Sequence, residues 1–268
     1  MRFSYHFILS LLLACLSHCS SNVNISGSAI TTRYWDCCKP SCSWNGKAQF
    51  SRPVQSCDIH DQPLSDFTAG TGCNGGAAFS CTNQSPWAVN DTFSYGFAGV
   101  YIMDHVEDYW CCSCYRLNFT SGPVKGKTMI VQAHNTAYDI ITADRFSLAI
   151  PGGNTSTTDA CALEFNVSQS VFGESMVGVT SRSQCDDLPT AMKSGCHWRF
   201  DWFEDADNPS VDFERVQCPA ALTNITGCVR DDEKELVSSS SAIPSISPFS
   251  SLIMTTIVII VAFLQVLT

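Results

Sequence analysis

Fourteen cysteines fall between residues 37 and 228, and no other feature constrains the fold of this chain as tightly. Thiols at that density and in even number point to an exported chain in which seven disulfides pin the loops, with a connectivity that spacing alone leaves open. The tight groups Cys37-Cys38-x3-Cys42 and Cys111-Cys112-x-Cys114 lack the paired C-x2-C spacing of zinc ligand sets, so neither a metal nor another cofactor is expected.

The other two cysteines, Cys15 and Cys19, belong to residues 1–20, which begin Met1-Arg2, continue as Phe7-Ile8-Leu9-Ser10-Leu11-Leu12-Leu13-Ala14 and close on small residues. That is the layout of a secretory signal peptide. At the other end the apolar stretch 252–268 has no Lys or Arg after it and is too short for an ordinary spanning helix. It follows the serine run Ser238–Ser241 and a polar spacer, the pattern of a lipid-anchor attachment signal, with a tail-anchored helix as the alternative. The expected organisation is therefore a signal peptide at 1–20, one folded domain at 28–230, an acidic then Ser-rich stalk at 231–251, and the hydrophobic tail at 252–268. Seven N-x-S/T sequons, at Asn24, Asn83, Asn90, Asn118, Asn154, Asn166 and Asn224, agree with a secretory route and glycosylated surface loops.

The formal charge of −10 drops to −11 once Arg2 leaves with the signal peptide. An acidic surface of this kind makes nucleic acid an unsuitable partner but leaves neutral polymers open. Helical periodicity is scarce. Short runs of β-branched and aromatic residues, Met129–Ala133, Phe146–Ile150 and Val211–Val216, are separated by breakers such as Ser121-Gly122-Pro123 and Pro151-Gly152-Gly153-Asn154. They predict a mainly β domain of short strands and long loops, with one short helix near Gln184–Lys193.

The chemistry is concentrated at Tyr34-Trp35-Asp36-Cys37-Cys38. A carboxylate on a backbone pinned by vicinal cysteines, next to aromatic rings whose apolar faces match the C–H faces of a sugar, suits acid/base work on a polysaccharide. On chemistry alone an Asp ion-paired with Arg33 is an equal alternative.

Thr31-Thr32-Arg33-Tyr34-Trp35-Asp36-Cys37-Cys38-Lys39-Pro40-Ser41-Cys42 resembles the N-terminal signature of the family-45 glycoside hydrolases, which are endo-β-1,4-glucanases. The likeness continues through Ser85-Pro86-Trp87-Ala88-Val89-Asn90-Asp91, Trp110–Tyr115, Thr120–Val124, Ile150–Gly153 and Trp198–Phe203, covering about residues 30–230. It implies a six-stranded double-psi β-barrel with an open groove, a β-1,4-glucan substrate, and single-step hydrolysis with inversion, for which two carboxyls stand roughly 6.5–9.5 Å apart. Asp36 falls on the family's general base, and Tyr34 and Trp44 on positions that resemble its substrate contacts. A monomer is expected.

One position departs from the pattern. The family's general acid is an Asp in a His-Phe-Asp-Leu-Asn-Ile-Pro-Gly-Gly-like stretch, which reads here Arg145-Phe146-Ser147-Leu148-Ala149-Ile150-Pro151-Gly152-Gly153, leaving Ser147 to contact substrate at most. A serine hydroxyl cannot replace a tuned acid, a group that contributes about 10²–10⁴-fold. Asp139, Asp144 and Asp159 are the candidate substitutes. Asp159 reads as a turn cap, and Asp144, an odd offset of three from Ser147, points to the other face of a regular strand, so Asp139 is favoured over Asp144. The rival reading is a catalytically weakened wall protein that binds or loosens glucan.

Overall fold

The computed structural model describes residues 25–138, 141–153 and 160–233. The expected signal peptide, the hydrophobic tail, and the aspartates Asp139 and Asp159 lie outside the described residues. Among those described, no helix is long and apolar enough to cross a membrane.

Among the described residues nine strands carry the fold: β1 (Ser26–Tyr34), β2 (Ser56–Cys57), β3 (Phe79–Ser80), β4 (Trp87–Asn90), β5 (Phe93–Tyr101), β6 (Cys114–Phe119), β7 (Thr128–Thr136), β8 (Arg145–Ala149) and β9 (Ser210–Val216). Six of them pair in the order β5-β7-β6-β9-β1-β8, and β8 pairs back to β5, closing a barrel without a free edge. Two pairings, β1 with β8 and β5 with β7, are parallel; the others around the ring are antiparallel. This is the six-stranded double-psi barrel that the resemblance implied. β4 is a hairpin annex on β5, and β2 pairs only with β3.

Period-2 alternation fills the barrel. Phe146 and Leu148 of β8, Met129 and Val131 of β7, Tyr115 and Leu117 of β6, and Val211 and Phe213 of β9 join one buried cluster. At its centre Tyr115, Phe146 and Phe213 meet edge to face at 5.1–6.0 Å between ring centroids. Such pairs contribute about 0.5–1.5 kcal/mol each beyond their burial.

All fourteen cysteines pair: 37–161, 38–73, 42–111, 57–81, 112–228, 114–218 and 185–196. Each vicinal pair is split between distant partners, so two short runs of chain tie four remote segments together.

Two local expectations change. The short helix set at Gln184–Lys193 is a 3-10 turn, Arg182–Asp187, followed by a twelve-residue α-helix, Thr190–Asp201. That helix buries Met192, Gly195, Cys196, Trp198 and Arg199 on one face, but Gly195 and Arg199 interrupt its apolar character, so its sequence lacks the usual periodic signal. It packs close: a Cβ on Gly195 would come within 2.7 Å of Pro151. Trp198 Nε1 donates to Ser94 Oγ at 2.9 Å, and Trp202, just past the helix end, donates to the Asn90 carbonyl at 2.8 Å. The packed body also runs past Arg230, because Asp232 pairs with Arg215 and Arg230 and Glu233 accepts from the Cys218 N–H.

Candidate active site

A cavity of about 650 Å³ opens where the end of β1, the end of β7 and β8 come together, and Tyr34, Asp36, Asn135, Tyr138, Arg145 and Ser147 are among its walls. Asp36 sits two residues beyond β1 on backbone held from three sides. Its neighbours Cys37 and Cys38 are bonded to Cys161 and Cys73, its carbonyl accepts from the Ala160 N–H at 2.9 Å, and its Oδ1 accepts from the Cys38 N–H at 3.0 Å. Cys37 takes the left-handed backbone region at φ 58°, turning the chain sharply just after the carboxylate. The disulfides make that turn affordable.

Behind Tyr34 runs a chain of hydrogen bonds whose direction is fixed at each link. Gln84 donates through Nε2 to the Gln55 carbonyl, so its Oε1 must accept, and His134 Nδ1–H is the donor at 2.8 Å. His134 Nε2 is then the bare nitrogen and accepts the Tyr34 hydroxyl at 2.8 Å, while Asn135 Nδ2 donates to the same hydroxyl at 3.1 Å. Asn135 Oδ1 in turn accepts the Ser41 N–H. Desolvation pushes the His134 pKa down to about 3, keeping the ring neutral. Burial and the nearby Asp36 charge push the Tyr34 phenol well above its ordinary range.

His134 reaches this place through a β-bulge. Between the pairs Ala98↔Ala133 and Gly99↔Asn135 the register of β5 against β7 slips, and His134 is the extra residue. No nucleophile-base motif surrounds it in sequence, and its role as the anchor of Tyr34 depends on a register between two strands that sequence does not reveal.

The second wall is different. Ser147 pairs with Thr32 of β1 and Gly99 of β5, with no register shift along β8. Because Phe146 and Leu148 point into the barrel, Arg145 and Ser147 share the outward face with the cavity. Thr32 Oγ1, buried and without a hydrogen-bond partner among the described residues, lies on the neighbouring strand.

Asp144 shares the parity of Phe146, and its carboxylate accepts the Met103 N–H at 2.8 Å beside Gly27, away from the cavity walls. It is therefore not brought together with Asp36, and the absence of a bulge in β8 is the reason. Asp207, which the sequence reading passed over, does line the cavity, but it is largely exposed and ion-paired with Arg33 at 3.4 Å. Trp44 is not among the cavity walls: the Lys39 ammonium sits 3.5 Å over its ring while donating to the carbonyls of Phe67 and Ala69. Among the described residues the one group of clustered ligand atoms is Cys57, Asp61 and Cys81, and its two sulfurs are bonded to each other.

Residues 28–229 match the model of glycosyl hydrolase family 45. The chain belongs to that family. Among family relatives, an endoglucanase of Cryptopygus antarcticus is 43% identical over 76% of this chain and 90% of its own length. A Fusarium oxysporum protein assigned as an endoglucanase type K is 54% identical over 78% of this chain, which spans only 55% of that relative. The crystal structure of the cellulase from the Antarctic springtail Cryptopygus antarcticus superposes with a TM-score of 0.74 at 42% identity, covering 77% of this chain and 99% of that one. The family-45 fold thus accounts for the barrel and for the segments that form the cavity.

Proposed function

We propose that the chain is an endo-β-1,4-glucanase that hydrolyses internal bonds of a β-1,4-glucan with inversion, using Asp36 as general base. The observation that carries this reading is the Asp36 carboxylate, fixed by flanking disulfides at the wall of a cavity built from hydroxyl, amide and aromatic side chains. In the reaction a water attacks the anomeric carbon and gives its proton to Asp36, while the glycosidic C–O bond breaks and the leaving oxygen takes a proton from an acid across the cleft. Asp139 is the proposed acid. It directly follows Tyr138 of the cavity wall, whereas Asp144 faces away and Asp207 is occupied with Arg33. Ser147, with the Thr32 hydroxyl beside it, is left to hydrogen-bond sugar hydroxyls, and Tyr34 offers its ring. The relatives, all named endoglucanases, lend no weight to the glucan-binding alternative.

Reducing-end release from carboxymethylcellulose and glucomannan tests the reading. Wild type should release ends from at least one of them, and Asp36→Asn should not. A silent wild type that gains activity as Ser147→Asp would overturn it.

Export and a C-terminal lipid anchor complete the proposal. Seven disulfides favour an oxidising compartment, and the five sequons within the described residues, Asn83, Asn90, Asn118, Asn166 and Asn224, are all exposed. Release from cells by phosphatidylinositol-specific phospholipase would support the anchor; retention would support a helical tail.

A further inference from the structure

Tyr138 is 63% exposed, yet it lines the same cavity as Asp36 and Ser147. The ring is braced from behind: it meets Tyr101 edge-on at 6.4 Å, and Tyr101 packs on the fully buried Trp110 at 5.9 Å. Tyr34, the other aromatic wall, has its hydroxyl committed to His134 and Asn135. Tyr138 adds a second, supported ring to the cavity wall. Met176 and Val177, 55% and 41% exposed, add apolar surface to the cavity, which is otherwise rich in hydroxyls and amides. Apolar faces combined with hydrogen-bonding edges suit a pyranose ring, which has C–H faces and equatorial hydroxyls.

We infer that Tyr138 is a stacking platform for one pyranose ring of the glucan and sets affinity for the chain, an assignment that rests on the glucanase reading. It stacks by dispersion and C–H contact with the ring face, so it requires an aromatic side chain but not the hydroxyl. Removing the platform weakens ground-state and transition-state binding alike, which raises KM and leaves kcat in place.

The test uses the full chain carrying Tyr138→Ala, Tyr138→Phe or Tyr138→Trp. Tyr138→Ala should raise KM for β-1,4-glucan about five- to tenfold with kcat within about twofold, and Phe and Trp should restore KM. Calorimetric titration of cellohexaose into Asp36→Asn, with and without Tyr138→Ala, reads the same loss of about five- to tenfold in affinity without turnover. An unchanged KM and affinity in Tyr138→Ala, a Phe variant as impaired as Ala, or a fall confined to kcat would each overturn the platform. A wild type that neither cleaves nor binds would instead overturn the glucanase reading itself, and the platform with it.

Discussion

The two walls of the cleft are built by different means. The Asp36 wall is over-determined: a disulfide on each of the two following residues, a backbone hydrogen bond from Ala160, and a directed chain from Gln55 through Gln84 and His134 to Tyr34. The Ser147 wall is a plain strand, paired without irregularity to β1 and β5, that presents a small hydroxyl where an acid would stand. The proposed role of Asp36 as base requires close placement against its water, and the flanking cross-links hold the backbone that carries it.

The largest expected effect falls on the first wall. Asp36→Asn should lower kcat/KM on soluble β-1,4-glucan by about 10³-fold with an unchanged circular dichroism spectrum, within the range for general base catalysis. Asp139→Asn should cost about 10²-fold in kcat if that residue supplies the proton, whereas on the second wall Ser147→Ala should cost less than about tenfold. Equal losses at Asp139 and Ser147 would erase the contrast between the walls.

How much of this contrast was legible in the sequence follows from the range of each interaction. The strands at 129–133, 146–150 and 211–216 announced themselves by local runs of β-branched and aromatic residues, and Asp36 by a motif twelve residues long. The face of Asp144 followed from strand parity because β8 has no bulge. The anchoring of Tyr34 by His134 did not follow, because it depends on a register slip between β5 and β7. The cysteine pairing was closed to sequence for a related reason: partners lie up to 124 residues apart. The lysine that stands over the Trp44 ring was likewise closed to sequence, because the contact comes into place only on folding.

A smaller effect concerns what stands behind Asp36. Glu164 lies in the helix Cys161–Phe165, tied to Cys37 through Cys161, and both its carboxyl oxygens are buried without a hydrogen-bond partner. Burial first, and the Asp61 charge second, push its pKa up to about 9 from an ordinary 4.5. Between those two values the folded chain keeps a proton that the unfolded chain has released, so stability falls as pH rises through that window. Glu164→Gln should therefore match wild type at pH 4 and exceed it by about 2–4 kcal/mol at pH 8 in denaturant melts. Parallel curves would show that the carboxyl does not titrate in this range. The smallest effect is expected at His134. His134→Phe leaves Gln84 Oε1 without its donor and should cost about 1–2 kcal/mol, with a modest rise in KM as the Tyr34 ring loosens.

The most direct measurement of the central claim follows the anomeric proton by NMR during early hydrolysis of cellohexaose by wild type and Asp36→Asn. An inverting base at Asp36 predicts that the α-anomer of the new reducing end appears first and that Asp36→Asn yields none. A β-anomer formed first, or unchanged hydrolysis by Asp36→Asn, would contradict the account.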